Sequence, residues 1–194
     1  MVSPSSVCVY CGSSARVNDV YKEAARRLGT GLAQAGIQLV YGGGRVGLMG
    51  ILADAALAAG GRVIGIIPEH IQALEVDHSG LTELVVVGSM HERKRMMVDR
   101  SDAFVVLPGG LGTLDETFEV VTWKQLRLHD RPIVIADVAG YWAPLLRLFE
   151  HIDGEGFVSG GHRRLFSVAA DIDEVLDTLG RQPASTILTD SRAM

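Results

Sequence analysis

The chain has 194 residues and a formal net charge of −5, with 47% hydrophobic and 21% charged residues, a globular composition that excludes a disordered or fibrous chain. It lacks the basic footprint of a nucleic-acid binder, and no apolar run approaches the roughly 20 residues of a membrane span. The start Met1-Val2-Ser3-Pro4 has no charged region followed by an apolar one, so no nucleic-acid or membrane partner and a cytoplasmic location are expected. A chain of this length buries roughly 70% of the surface its unfolded form exposes, so one core is enough. The expected organisation is a single domain over residues 1–180 and an irregular tail over 181–194.

Residues 6–11 read as a first strand, closed by Gly12-Ser13-Ser14. Apolar and small residues then recur at helical spacing over 19–35, and Gly36 ends that pattern as a C-cap. Residues 37–41 are a second strand, Gly42-Gly43-Gly44 its turn, and 47–59 a helix. A third strand, 62–67, is halted by Pro68. Residues 69–80 lack a clear period and read as a loop holding about one helical turn. A fourth strand (83–87), a helix (89–99) and a fifth strand (103–107) follow. The second half continues with a helix over 113–128, a strand over 132–136 and a helix over 141–152. A loop at 153–156, a short edge strand over 165–169 and a helix over 172–179 with Asp171 near its N-cap complete the pattern. Alternating helices and strands that are apolar throughout predict an α/β fold: a Rossmann-like, doubly wound parallel sheet with helices on both faces. Ligands in such folds bind beyond the carboxyl ends of the strands, where strand order reverses.

Cys8 and Cys11 are spaced C-x-x-C, but no second Cys or His pair completes a zinc site. Both are read as strand cysteines in a reducing compartment. The six histidines, His70, His78, His91, His129, His151 and His162, show no metal-like pairing, and each is read as surface or structural; no metal and no cofactor are expected.

Three stretches carry chemistry. Residues 42–47 spell G-x-G-x-x-G after a strand and before a helix, the dinucleotide pattern, with Glu69 beyond the next strand. The motif follows the second strand rather than the first, so contact of this loop with a phosphate or nucleotide is the favoured reading over NAD. Pro108-Gly109-Gly110-Leu111-Gly112-Thr113 lacks the G-K-[ST] of a Walker loop, yet a glycine turn leading into a helix offers backbone N–H groups to an anion. Thr113-x-x-Glu116 also fits a capping box, a purely structural reading of Glu116. Against that, Thr113, Glu116, Glu119 and Trp123 track one side of the expected helix, which sets two carboxylates near the turn. In the preceding helix Met90, Arg93, Lys94 and Met97 share a face.

Cys11-Gly12-Ser13-Ser14, Val40-Tyr41-Gly42-Gly43-Gly44-x-x-Gly47-Leu48-Met49-Gly50, Met90-His91-x-Arg93-Lys94, Pro108-Gly109-Gly110-x-Gly112-Thr113-x-x-Glu116 and Thr122-Trp123-x-Gln125-Leu126 occur in that order. Together they resemble the Lonely Guy family of cytokinin riboside 5'-monophosphate phosphoribohydrolases, related to proteins long labelled lysine decarboxylases. The resemblance runs over residues 7–152. It implies hydrolysis of the N-glycosidic bond of an adenosine-type monophosphate to free base and ribose 5-phosphate, by a homodimer. It implies Arg93 and Glu116 as the catalytic pair, with Ser14, Gly43, Met90, Lys94, Gly109, Gly110, Gly112, Thr113 and Glu119 binding substrate and the glycine turn and Thr113 on the 5'-phosphate. Asp115 and Leu111 stand where many relatives have Glu and Tyr. Nothing in the sequence marks a pyridoxal-phosphate lysine. Two rivals on the same fold are a non-catalytic nucleotide or cofactor carrier and an NAD-dependent oxidoreductase.

Overall fold

Strand and helix alternate through the described residues. A computed structural model describes residues 3–72, 80–158 and 161–181. The strands are β1 (Ser6–Tyr10), β2 (Gln38–Tyr41), β3 (Val63–Pro68), β4 (Glu83–Val87), β5 (Ala103–Val106), β6 (Ile133–Ala136) and β7 (Ser167–Ala169). The helices are α1 (Asp19–Gln34), α2 (Gly47–Ala58), α3 (Glu69–Gln72), α4 (Met90–Asp99), α5 (Leu111–Gln125), α6 (Ala143–Gly154) and α7 (Ile172–Gly180). All seven strands form one parallel sheet in the order β4-β3-β2-β1-β5-β6-β7. Strand order therefore reverses between β1 and β5, the point at which an open parallel sheet leaves a crevice above its strand ends.

Period-two alternation divides the apolar strands between two cores. Val7, Val9, Leu39, Tyr41, Val105 and Leu107 pack against α1, α2 and α7. Cys8, Tyr10, Val40, Ile64, Phe104 and Val106 pack on the other face against α4, α5 and α6. Covered on both sides, the strands need no polar face, which is why they read as continuous apolar runs. Cys8 and Cys11 are both buried and free, one in each core.

Several helix ends follow from local chemistry. Asn18 accepts from the Val20 N–H at 3.1 Å, Ser89 from Glu92 at 3.1 Å and Asp171 from Glu174 at 2.9 Å, each satisfying an N–H that the first turn leaves unpaired. Gly36 closes α1 at φ 70°.

The helix expected over 113–128 differs at both ends. It begins at Leu111 with Gly110 as N-cap, so Thr113 is its third residue and cannot be the cap of a Thr113–Glu116 box. It stops at Gln125 because Arg127 turns to φ 61°, with Leu128 N–H donating to Trp123 C=O and Arg127 N–H to Lys124 C=O. This is a Schellman ending built on an arginine, and without a glycine at that place the sequence gives no stop signal. The helix expected over 141–152 starts two residues later, because a 3-10 turn over Val138–Gly140 holds Ala139 and Gly140 at positive φ. β3 continues through Pro68 instead of ending before it. α3 is the helical turn expected in the 69–80 segment; residues 73–79, with His78, and the tail beyond Arg181 lie outside the described residues. His129 is a structural residue, its ring nitrogens joined to the Val120 carbonyl and the Arg131 N–H.

A left-handed conformation at a non-glycine residue costs roughly 1–2 kcal/mol, part of which glycine returns as chain entropy. Arg127→Gly is therefore expected to raise stability by about 0.5–1 kcal/mol, measured as a higher urea midpoint at unchanged slope. A lower midpoint would show that the Arg127 side chain contributes more than its backbone costs.

Candidate active site

Two helices frame the site. The chain leaves β4, enters α4 above the carboxyl ends of β3 and β4, and returns through β5 to α5, which descends beside α4 on the same face of the sheet. Arg93 of α4 points at the strand ends. Its Nε donates to the Ile66 carbonyl at 3.1 Å and one terminal nitrogen to the Gly42 carbonyl at 3.3 Å. The other terminal nitrogen lies 3.5 Å from Glu116 Oε1 on α5. Both side chains are largely buried, 13% and 9% exposed.

Burial raises the Glu116 carboxyl to about 7, against the opposing pull of the Arg93 charge; Asp115 and Glu119 add to the rise and Lys94 lowers it. A carboxyl in that range exchanges its proton near neutrality, the property general acid–base catalysis needs. One residue on, Lys94 pairs with Asp115 at 3.1 Å and Glu119 at 3.2 Å. Burial opposes its charge, but those carboxylates outweigh it and raise the ammonium above its ordinary value. Arg95 lies over the Trp123 ring at 6.0 Å, so three successive residues of α4 fasten it to α5.

Above this pair lies the glycine turn. The N–H groups of Leu111, Gly112 and Thr113 open α5 and have no carbonyl one turn earlier to bond. Gly12 N–H donates to the Pro108 carbonyl at 3.1 Å, which ties the β1 and β5 loops together across the switch point. Gly109 must lack a side chain there, since a Cβ would overlap the Thr113 hydroxyl and crowd Gly12.

A cleft of ≈ 240 Å³ has Arg93 and Glu116 in its lining beside Gly110, Gly112 and Thr113, with Met49, Ile71 and Met90 as apolar wall. A second cleft of ≈ 280 Å³ shares Gly12, Ser13 and Gly110 with it and extends past Ser14 and Gly109 to Tyr21 and Tyr141. Arg93, Glu116, Met90, Gly110, Gly112 and Thr113 thus come together in one cleft, and Ser14 and Gly109 in the adjoining one. Gly43, Lys94 and Glu119 are in the lining of neither. Gly43 has φ 78° and abuts Ile66 and Ile67, a packing role, while Lys94 and Glu119 face one another outside the lining that holds Arg93 and Glu116. The G-x-G-x-x-G loop also differs from a dinucleotide site: Leu48 N–H, at the N-terminus of α2, donates to the Gly12 carbonyl at 3.0 Å. That donor is spent inside the protein, and Gly47, at φ 68°, packs against the Ser13 backbone.

The family model described as possible lysine decarboxylase matches residues 49–179. The cytokinin riboside 5'-monophosphate phosphoribohydrolase of Rhodococcoides fascians is 47% identical over 172 residues, 88% of this chain and 87% of that protein. A protein of the same name from Arabidopsis thaliana is 43% identical over 173 residues, 89% of this chain and 81% of its own. The chain belongs to the Lonely Guy family. Among solved structures, the molybdenum cofactor carrier protein of Chlamydomonas reinhardtii matches with a TM-score of 0.70 at 23% identity, over 90% of this chain and 94% of that one. At that identity the likeness shows the Rossmann-like fold.

Within this Lonely Guy chain, Cys11, Met49, Ile71 and Leu111 are in the lining without having been singled out as site residues from sequence. Ile71 sits in an aperiodic segment that gives no signal. Gly42 carried one, as first glycine of its motif, but pointed to a phosphate rather than to Arg93. A Cβ on Gly42 would overlap the Arg93 guanidinium, so Gly42→Ala is expected to displace Arg93 and lower kcat about as far as Arg93→Ala does. Activity within two-fold of wild type in the folded variant would show that Arg93 works from another position.

Proposed function

We propose that this protein hydrolyses the N-glycosidic bond of adenosine 5'-monophosphates, N6-substituted or plain, to the free base, a cytokinin where the substituent is present, and ribose 5-phosphate. The observation that carries this reading is the buried Arg93–Glu116 pair in a cleft lined by the N-terminus of α5, in a chain 47% identical to a protein named for that reaction. The reading includes the cytoplasmic location expected from the sequence and the homodimer that the family resemblance implies.

The 5'-phosphate sits on the N–H groups of Leu111, Gly112 and Thr113, where the helix dipole and unpaired donors both favour an anion. This contact is remote from the reacting bond and holds the sugar over Glu116. As the bond between ribose and base lengthens, positive charge develops on the sugar. The ionised Glu116 carboxylate stabilises it and takes a proton from the attacking water. Arg93, anchored by two carbonyls, keeps that carboxylate in place and offers its remaining N–H groups to the departing purine. Lys94 does not suit a Schiff base, which needs a neutral amine, because its two carboxylates hold it as an ammonium.

Incubation with isopentenyladenosine monophosphate is expected to release free isopentenyladenine and ribose 5-phosphate; intact nucleotide after long incubation at high enzyme concentration would sink the reading. Glu116→Gln is expected to lower kcat by about 10²-fold or more, about 2.7 kcal/mol of barrier, with AMP affinity nearly unchanged.

The raised carboxyl also fixes the pH dependence. Because the ionised form acts, kcat/KM should climb with pH through about 7. For stability the sign is opposite. A carboxyl held above its unfolded value of 4.5 stabilises the folded state fully below that value and loses this contribution as pH rises through about 7. Wild type should therefore lose thermal stability relative to Glu116→Gln between pH 6 and pH 8; parallel melting curves would show that the group is already ionised at pH 6.

A further inference from the structure

The loop after β6 holds a tyrosine against the glycine turn from the side opposite Glu116. Tyr141 Oη donates to the Gly109 carbonyl at 2.6 Å. Gly109 immediately precedes the N-cap of α5, packs on Thr113, and lies beside Gly12. The chain makes an unusual backbone to place this ring. Ala139 and Gly140 both take positive φ, 54° and 72°, and the Trp142 N–H is pinned to the Asp137 carboxylate at 2.6 Å. The ring stands edge-on to Tyr21 of α1 at 5.3 Å and to Trp142 at 4.8 Å. A left-handed alanine is unfavourable, and the surroundings must over-determine it. The two ring contacts hold the phenol, which donates to the Gly109 carbonyl.

That carbonyl decides which way the turn faces. A peptide plane rotates as a unit, so anchoring the Gly109 C=O anchors the Gly110 N–H bonded to the same carbon and fixes the entry of the chain into α5. With glycines at 109, 110 and 112, nothing in the local sequence stiffens the backbone. Gly110 and Gly112 have no atom within 4 Å of an added Cβ, so their conformation is not enforced by packing either. From outside, the turn is held by hydrogen bonds at Pro108, from Gly12 N–H, and at Gly109, from Tyr141, beside the packing of Gly109 on Gly12.

We propose that Tyr141 is a positioning residue for the phosphate turn: its hydroxyl, through the Gly109 carbonyl, pre-sets the N–H groups of α5 that receive the 5'-phosphate of the substrate. The proposal rests on the phosphate reading above and adds to it a residue on a separate element that never touches the reacting atoms. Without the hydroxyl the turn samples other orientations, and the ligand must order it on binding, which weakens affinity and leaves the chemistry at Glu116 nearly untouched.

The test compares wild type, Tyr141→Phe and Tyr141→His, the last retaining a ring and an N–H donor. Ribose 5-phosphate is titrated calorimetrically into each, which needs no turnover, and kcat and KM are measured with AMP. Tyr141→Phe should bind ribose 5-phosphate about ten-fold more weakly and raise KM by a similar factor, with kcat within about three-fold, and Tyr141→His should recover part of the loss. A folded Tyr141→Phe with unchanged ribose 5-phosphate affinity and KM would overturn the proposal, as would a fall in kcat at constant KM. If Tyr141→Phe does not fold, Tyr141→His is compared with 1-methylhistidine at the same position, both with the ring neutral: weaker ribose 5-phosphate binding by the methylated ring, which has no N–H to donate, supports the proposal, and equal binding by the two rings overturns it. A wild type that binds ribose 5-phosphate but cleaves no nucleotide would sink the hydrolase reading and leave the role of Tyr141 measurable.

Discussion

The guanidinium of Arg93 is the constraint on which the geometry of the site depends. A charge this far from water is tolerable only where its donors are taken up, and here they are taken up by the Ile66 carbonyl, the Gly42 carbonyl and the Glu116 carboxylate. Two of those partners are main-chain carbonyls, one just past the end of β2 and the other within β3. The Tyr41–Gly65 register brings these two positions together, α4 must cross above them, and a Cβ at position 42 would meet the guanidinium. The third partner sits on α5, so the same group sets the distance between the two helices. Lys94 with Asp115 and Glu119, and Arg95 with Trp123, then repeat the connection farther along.

The strand-switch crevice supplies the other half of the arrangement. Strand order reverses between β1 and β5, and the loops after them are tied by the Gly12–Pro108 hydrogen bond rather than left open. The α2 N-terminus docks on the same loop through Leu48. Of the helix N-termini near the crevice, α2 thus spends a donor on the protein, while the first three N–H groups of α5 face no carbonyl of a preceding turn. This difference favours the 109–113 turn over the G-x-G-x-x-G loop as the place for an anion in the proposed reading. Glycine spacing predicts a close approach of backbone to something, and for the 42–47 loop that something is the chain itself.

Much of this was legible in the sequence, and the misses have identifiable causes. The doubly wound sheet followed from apolar strands alternating with amphipathic helices, and each expected strand exists within a few residues. The pairing of α4 with α5 followed from cations at 93 and 94 and acids at 116 and 119. What misled was helix register. Leu111 and Gly112 read as turn because glycine is a poor helix former, yet both lie in the first turn of α5, where that penalty is small and exposed N–H groups are useful; Leu111 is 86% exposed. That shift of two residues turned an apparent Thr113–Glu116 capping box into a buried acid aimed at an arginine. Arg127 and Ala139 adopt positive φ without glycine's freedom, and no glycine at either position announces the turn. Spacing set Lys94 on a face with Arg93 and Glu119 on a side with Glu116, but spacing alone does not say whether two charges face a ligand or each other.

The charges around Glu116 then account for where its proton sits. Removing a carboxylate from water pushes it toward the neutral form, and a single nearby arginine would push it back to ordinary acidity. The cluster does neither alone: Asp115 and Glu119 add negative charge beside Glu116, Arg93 and Lys94 oppose them, and the result is a carboxyl at about 7. Lys94 has a double part in this balance. It pairs with Asp115 and Glu119 and so opposes their upward push on Glu116, and by staying out of the lining it leaves Arg93 as the cation in the cleft beside Glu116. Charge that lies outside the cleft therefore acts on the chemistry through the ionisation of a single carboxyl, and it does so from residues held by the same two helices that Arg93 brings together.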